Sequence, residues 1–153
     1  CAATRAMTIR RIAAWIFGHL TDIDTTINPF EAGLGFCVNI DKGDFIGREV
    51  LGKKDKRTCL LGLTCKTETP VSGSKVINGS KIVGHITAGV HSPTLNTGIG
   101  YVRFYEANDW PGKNLDLKLP NGNLHKAEIV NLPFFDKEKH IVKGIDRTIP
   151  SRT

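Results

Sequence analysis

Long apolar runs are scarce. The longest, Ile12 to Leu20, is interrupted by His19 and falls well short of the roughly 20 residues a membrane-spanning helix needs, so no membrane segment is expected. Aromatic residues make up only 7% of the 153 positions, and the 21 Lys and Arg are scattered along the chain. Nucleic-acid binding favours a basic stripe interleaved with stacking rings and is therefore not expected. The net charge of +6 is diffuse. Beyond a solvated surface, such a field suits an anionic ligand, for example a polyglutamate tail, or an acidic partner protein.

The four cysteines, Cys1, Cys37, Cys59 and Cys65, include no Cys-x-x-Cys pair, and nothing resembling a secretory signal peptide precedes them. A reducing compartment is expected: the cytoplasm, or the mitochondrial matrix if the source is eukaryotic. Cys59 and Cys65 lie six apart in an apolar run, so a strand places both on one face as buried structural thiols. His19, His85, His91, His125 and His140 show no His-x-x-x-His or Cys/His cluster, and no metal site is expected. His91, ahead of Ser92-Pro93, is the one to watch, as a brace for a loop more than as a catalyst. The stretch from Gly84 to Gly100 is rich in glycine but has no Gly-Lys-[Ser/Thr] and no following helix, so hairpin turns and close strand packing explain it better than a phosphate loop.

What is present is enough for a folded domain: 40% hydrophobic and 24% charged residues over a length that can bury a real core. The opening, Cys1 to Trp15, is rich in helix formers and reads as a helix whose beginning has been cut away, closed by Gly18 and the polar run Thr21 to Thr26. Asn28-Pro29 marks a turn. Leu34, Phe36 and Val38 alternate with Gly35, Cys37 and Asn39, which predicts a strand over 33–40, and Asp44 is placed to cap a short helix over 45–51. Gly52 to Lys56 is the clearest boundary. Beyond it the period is that of strands, expected at 58–66, 75–77, 81–90, 98–104, 114–119 and 124–130, with Asn78-Gly79 and Asn121-Gly122 as hairpin turns. This pattern predicts an α+β chain, predominantly β, in which a short helix and strand remnant precedes a small antiparallel, jelly-roll-like β-barrel. The charged, proline-punctuated tail from Asp136 reads as a surface wrap or as partly disordered.

Three stretches carry a family resemblance. Asp22-Ile23-Asp24-Thr25-Thr26-Ile27-Asn28-Pro29-Phe30-Glu31-Ala32-Gly33-Leu34 contains an acidic, threonine-rich lead into Pro-x-Glu-Ala-Gly-Leu. Asp44-Phe45-Ile46-Gly47-Arg48-Glu49 follows at short distance, and then Gly84-His85-Ile86-Thr87-Ala88-Gly89-Val90-His91-Ser92-Pro93-Thr94-Leu95 leads to Ile99-Gly100-Tyr101-Val102. In order and spacing these resemble the C-terminal portion of the glycine cleavage T-protein family of folate-dependent aminomethyltransferases.

The resemblance implies a tetrahydrofolate-dependent reaction in which folate accepts a one-carbon unit from an amine. The implied partner is a lipoyl carrier protein or a flavin amine oxidase. It divides the chain into the truncated end of the middle folate-binding domain (1–55), a C-terminal β-barrel domain (56–135) and a tail (136–153). The family's catalytic aspartate and pterin-binding glutamate belong to an N-terminal region that this chain is expected to lack. No catalytic residue is therefore assigned, and such a fragment is expected to be inactive alone. Asp22, Asp24 and Glu31 are read as shaping a turn and capping amides. Arg5 is the candidate cofactor contact, because the family carries an arginine near the start of this helix and a guanidinium can pair with a carboxylate through two bonds. A one-residue gap would instead match Arg10 to the family's later helix arginine and leave Arg11 or Ile12 where glutamate is usual, and a solvated helix-face charge is the plainer alternative for Arg5. After Leu132-Pro133-Phe134-Phe135-Asp136, which resembles the family's closing segment, Lys139 or His140 stands where some members use a tyrosine. Two other functions fit the same motifs: the C-terminal folate module of a dimethylglycine or sarcosine oxidoreductase, and a stand-alone β-barrel binding module.

Overall fold

The computed structural model describes residues 3–141 and 143–148, so Cys1 lies outside the described residues. Helix α1 spans Thr4–Ala13 and turns Ile9, Ile12 and Ala13 toward the rest of the molecule, an i, i+3, i+4 stripe of the kind that lets a short helix survive by packing. It ends earlier than Gly18. The Trp15 amide donates to the Ile12 carbonyl at 3.3 Å and the Ile16 amide to the Arg11 carbonyl at 2.8 Å, while Trp15 adopts a left-handed φ of 62°. This is a Schellman closure with tryptophan where glycine is usual. The strain of a side chain in that region, roughly 1–2 kcal/mol, is offset by ring packing, since Trp15 meets Phe17 edge-on at 6.2 Å and Phe36 at 5.9 Å.

Two sequence expectations fail in the next segment. Residues 33–40 do not form a strand. Gly35–Cys37 make a single 3-10 turn, and the amides of Cys37 and Val38 bond back to Leu34 and Gly35 instead of to a neighbouring strand. The alternation misleads because Phe36 is 75% exposed, so the apolar positions share no buried face. Helix α2 spans Arg48–Gly52 without a side-chain cap. Gly47 is its cap residue at φ 92°, a conformation outside the helix, so the helix begins three residues later than expected and Asp44 does not cap it.

The strands fall where expected: β1 Leu60–Cys65, β2 Lys75–Asn78, β3 Lys81–Ser92, β4 Thr97–Phe104, β5 Asn114–Lys118 and β6 Leu124–Val130. They close an antiparallel barrel in the order β1-β4-β3-β2-β5-β6. Gly79 and Gly122 supply positive φ in the two tight hairpins. Closure leaves no free sheet edge. Leu61, Leu63 and Cys65 of β1 join Val102 and Phe104 of β4 and Ile129 of β6 in the interior. The alternate positions Leu60, Ile99 and Tyr101 face outward and form a second core beneath α1, with Ala88, Val90 and Ile12. One barrel wall is thus apolar on both faces, which is why a helix must cover it.

The glycines between residues 84 and 100 answer to packing, as the sequence suggests. Gly98 and Gly100 have the same parity as Val102 and face the barrel interior, where the 68–70 segment lies. A Cβ at Gly98 would stand 2.2 Å from the Glu68 carbonyl oxygen, and one at Gly89 2.2 Å from that of Pro70. Gly98→Ala should therefore cost about 1–3 kcal/mol, the usual cost of overpacking. Gly52→Ala, where nothing stands within 4 Å, should be neutral. Urea denaturation of the two variants checks this; equal stabilities would show that the 68–70 segment yields freely.

Candidate functional site

The seam between α1 and the barrel is organised by one carboxylate. Asp22 is 1% exposed, and a charge in that position persists only if its oxygens are filled. Oδ2 accepts the Arg11 guanidinium and the Gly18 amide, each at 2.7 Å, and Oδ1 accepts the Thr87 hydroxyl at 2.7 Å. The donors come from the helix, the turn and β3. Thr87 reaches it because β3 is bulged there: Ile86 pairs with Val102 and Ala88 with Tyr101, leaving Thr87 as the extra residue. Bulges re-aim side chains in this way.

Tyr101 makes the second fastening. Its ring is fully buried, and its hydroxyl donates to the carbonyls of Arg11 and Ile12, each at 3.0 Å. Those carbonyls belong to the last turn of α1, where the Schellman closure gives each one amide and leaves a lone pair free for the phenol. Burial pushes the phenol well above its usual range, with the Asp22 charge adding to the effect, so the hydroxyl stays a donor.

A third link is more exposed. The Thr26 hydroxyl and amide, and then Arg103, hold the Asp24 carboxyl below its ordinary value. Arg103 bonds Asp24 at 3.3 Å and the Thr26 hydroxyl at 2.7 Å. Asn28 and Glu31 cap each other: Asn28 Oδ1 accepts the Phe30 and Glu31 amides, and Glu31 Oε2 accepts the Asn28 amide. The Glu31 carbonyl then receives the Cys59 and Leu60 amides and so seats the start of β1. All three acids shape turns, as the sequence suggests. Asp22 and Asp24 additionally reach the barrel, and their partners Arg11, Thr87 and Arg103 were not among the sequence candidates. Thr87 and Tyr101 do lie inside the quoted motifs, which is the one signal that marks them.

Arg5 stands in the first turn of α1, exposed, with no ion pair or side-chain hydrogen bond among the described residues. It shares a stripe with Ile9 and Ile12, one turn beyond the buried part, so it sits at the rim of the helix–barrel seam. Arg10, which a one-residue gap would match to the family's later helix arginine, lies about 140° around the helix from it and turns away from that stripe. Among the described residues Arg5 lines none of the clefts beside the hairpin tip, beside Trp110 or beside Trp15. His91 corrects an expectation: it lies on β3 with an exposed side chain that makes no hydrogen bond among the described residues. Cys59 and Cys65 are buried and Cys37 exposed. Burial pushes the Cys59 thiol up, with Glu31 and Asp55 adding to it, which keeps it unreactive. Among the described residues no group of three His, Cys, Asp or Glu could hold a metal, and no helix is long and apolar enough to cross a membrane.

Comparison with known proteins follows this geometry. Residues 56–136 match the family described as the glycine cleavage T-protein C-terminal barrel domain. An aminomethyltransferase of Streptomyces avermitilis is 33% identical over 135 residues, covering 81% of this chain and 35% of that protein. One from Desulforamulus reducens is 38% identical over 130 residues, covering 80% and 34%. The chain thus spans about a third of the length of these relatives. The crystal structure of glycine cleavage system aminomethyltransferase T from Bartonella henselae superposes with a TM-score of 0.73 at 23% identity, over 86% of this chain and 38% of that one. At that identity the likeness establishes the fold.

The seam generates a stability prediction. Asp22→Ala leaves a part-buried guanidinium and two other donors without their acceptor, which should cost about 3–5 kcal/mol. A double-mutant cycle of Asp22→Ala with Thr87→Val, read by chemical denaturation, should give a coupling of about 1 kcal/mol or more. Strict additivity would mean that the two groups act independently.

Proposed function

The chain belongs to the glycine cleavage T-protein family, and from that premise we propose that it forms the C-terminal, folate-enclosing part of a tetrahydrofolate-dependent aminomethyltransferase. In this reading residues 1–55 end a middle folate-binding domain, 56–135 are the C-terminal barrel and 136–153 a tail. The match of residues 56–136 to the family's barrel domain carries the proposal. The order of the motifs, and relatives that match over 80% or more of this chain, support it.

Bound tetrahydrofolate would supply the nucleophilic nitrogen that accepts a one-carbon unit from an amine donor. A lipoyl carrier protein is the donor partner most consistent with a glycine cleavage family. What this chain contributes is enclosure and anchoring. The guanidinium of Arg5, free of any partner among the described residues, fits a carboxylate, which it can hold through paired charge-assisted bonds. Asp22 and Tyr101 act through position: they fix the pitch of α1 against the barrel and so fix where Arg5 is presented. Holding a reacting pair close in a water-poor enclosure is a large part of what such a transferase must do. No residue of this chain is assigned a proton transfer.

Calorimetric titration of the chain itself with tetrahydrofolate should show weak or no binding, because most contacts lie outside it. Micromolar affinity would overturn that division of labour. Grafted in place of the matching third of the Desulforamulus reducens aminomethyltransferase, the chain should support tetrahydrofolate-dependent transfer. Arg5→Ala in the graft should weaken folate binding about tenfold, as loss of a charge-assisted pair does. An unchanged affinity would return Arg5 to the status of a solvated helix charge.

A further inference from the structure

Four neighbouring strands of the barrel, β5, β2, β3 and β4, carry two parallel rows of side chains on their outer face. The first row is basic. Lys118 stands in register with Lys75, Lys75 with His85, and His85 with Arg103. All four point away from the interior, because the adjacent positions Leu117, Val76, Ile86 and Val102 belong to the core. The second row lies two residues along the strands and is apolar. Ile77 stands opposite Ile82, and Tyr105 follows just past the end of β4, its amide bonded to the Val83 carbonyl at 3.0 Å. Ile82 and Tyr105 are exposed. The Tyr105 ring lies 5.9 Å from that of His85, so the two rows adjoin.

The basic row is neutralised at one end only. Asp24 and Thr26 occupy Arg103, and Asp116, two residues from Lys118, is held by Lys126 at 2.7 Å. Lys75 and Lys118 make no ion pair among the described residues. Like charges directly opposite on neighbouring strands are destabilising. Burial holds the His85 imidazole below its ordinary value, and the Lys75 and Arg103 charges push the same way. The barrel's own stability gains nothing from this arrangement, whereas an acidic partner fits it. Spacing selects the kind of partner. The row advances about 4.8 Å per strand. Side chains on one face of an α-helix recur about every 5.4 Å, a closer match than the roughly 6.7 Å of an extended chain. We propose that this face docks an amphipathic helix of a partner polypeptide, with a stripe of Glu or Asp over Lys118, Lys75 and His85 and an adjoining apolar stripe over Ile77, Ile82 and Tyr105. A cleft of about 390 Å³ beside Ile82, Tyr105 and Trp110 gives one apolar side chain of that helix a socket. The face goes beyond the folate reading and includes neither Arg5 nor Asp22.

The test is a titration of the isotope-labelled chain, followed by amide NMR, with a stapled helical peptide carrying Glu at i, i+4 and i+7 and Leu at the position after each. An isomer of the same composition with Glu and Leu shuffled, a DNA duplex and phosphatidylserine vesicles are titrated beside it. The patterned peptide should shift the Lys75, His85 and Tyr105 amides and bind about tenfold more tightly than the shuffled isomer. The Lys75→Gln/Lys118→Gln double variant, both positions exposed, should keep or raise the urea midpoint of the parent chain and bind the peptide about tenfold more weakly. Equal binding of the shuffled isomer would overturn the proposal, as would an affinity unchanged in the double variant or amide shifts confined to other faces. Tighter binding of the duplex or the vesicles than of the peptide would overturn it too, because the row would then answer to phosphates. None of these readouts involves tetrahydrofolate, so failure here leaves the folate reading untouched, and the reverse holds as well.

Discussion

A carboxylate taken out of water must have its oxygens filled or the structure around it opens. Asp22 is such a group, and its donors come from three separate pieces of chain: Arg11 on α1, Gly18 in the turn and Thr87 on β3. None of them can move away without leaving a buried charge short of a partner. The helix, the acidic loop and the barrel are therefore bound to a common point. The hydroxyl of Tyr101, caught between the last carbonyls of α1, adds a second point on the same wall. Two contacts fix an axis where one would leave a pivot.

The barrel makes that wall available. Because the sheet closes on itself, each strand has an inside and an outside, and on β1 and β4 both are apolar. The outside cannot be left to solvent, and α1 covers it with Ile9, Ile12 and Ala13. The glycines of β3 and β4 answer to the opposite demand, since the interior at one end is occupied by the 68–70 segment rather than by side chains of the strands. Helix outside and Pro70 inside share the same stretch of sheet, which leaves no room for a Cβ at Gly89 or Gly98.

Much of this architecture was legible in sequence because it is local. Alternation and Asn-Gly turns place the six strands to within two or three residues, since the period of a strand and the φ of a hairpin turn are decided over a few positions. The segment 33–40 shows where locality fails: its alternation is real, but a strand needs a partner, and none is offered. The Trp15 closure is hidden for a related reason, because a left-handed tryptophan is acceptable only when Phe17 and Phe36 are there to pack on it. The acids were read as turn formers, which they are. What could not be read is that Asp22 reaches across 65 residues to Thr87 and Asp24 across 79 to Arg103. Of the candidate site, only the position of Arg5 on the helix was accessible. Its placement at the rim of the seam depends on which face of α1 is covered.

For the function proposed above, with Arg5 as the ligand contact, the consequence is one of presentation. A guanidinium that is to meet a ligand's carboxylate must be carried on something that does not rock, and a ten-residue helix has little stability of its own. If the Asp22 and Tyr101 fastenings make α1 part of the barrel's cooperative unit, the slowest amides of the helix must open only when the barrel does. Native-state hydrogen exchange measures this directly. The Ile12 and Ala13 amides should exchange with the same opening free energy as those of Val102 in β4. Free exchange in α1 while β4 stays protected would contradict the account, because the helix would then be an appendage and not a mount.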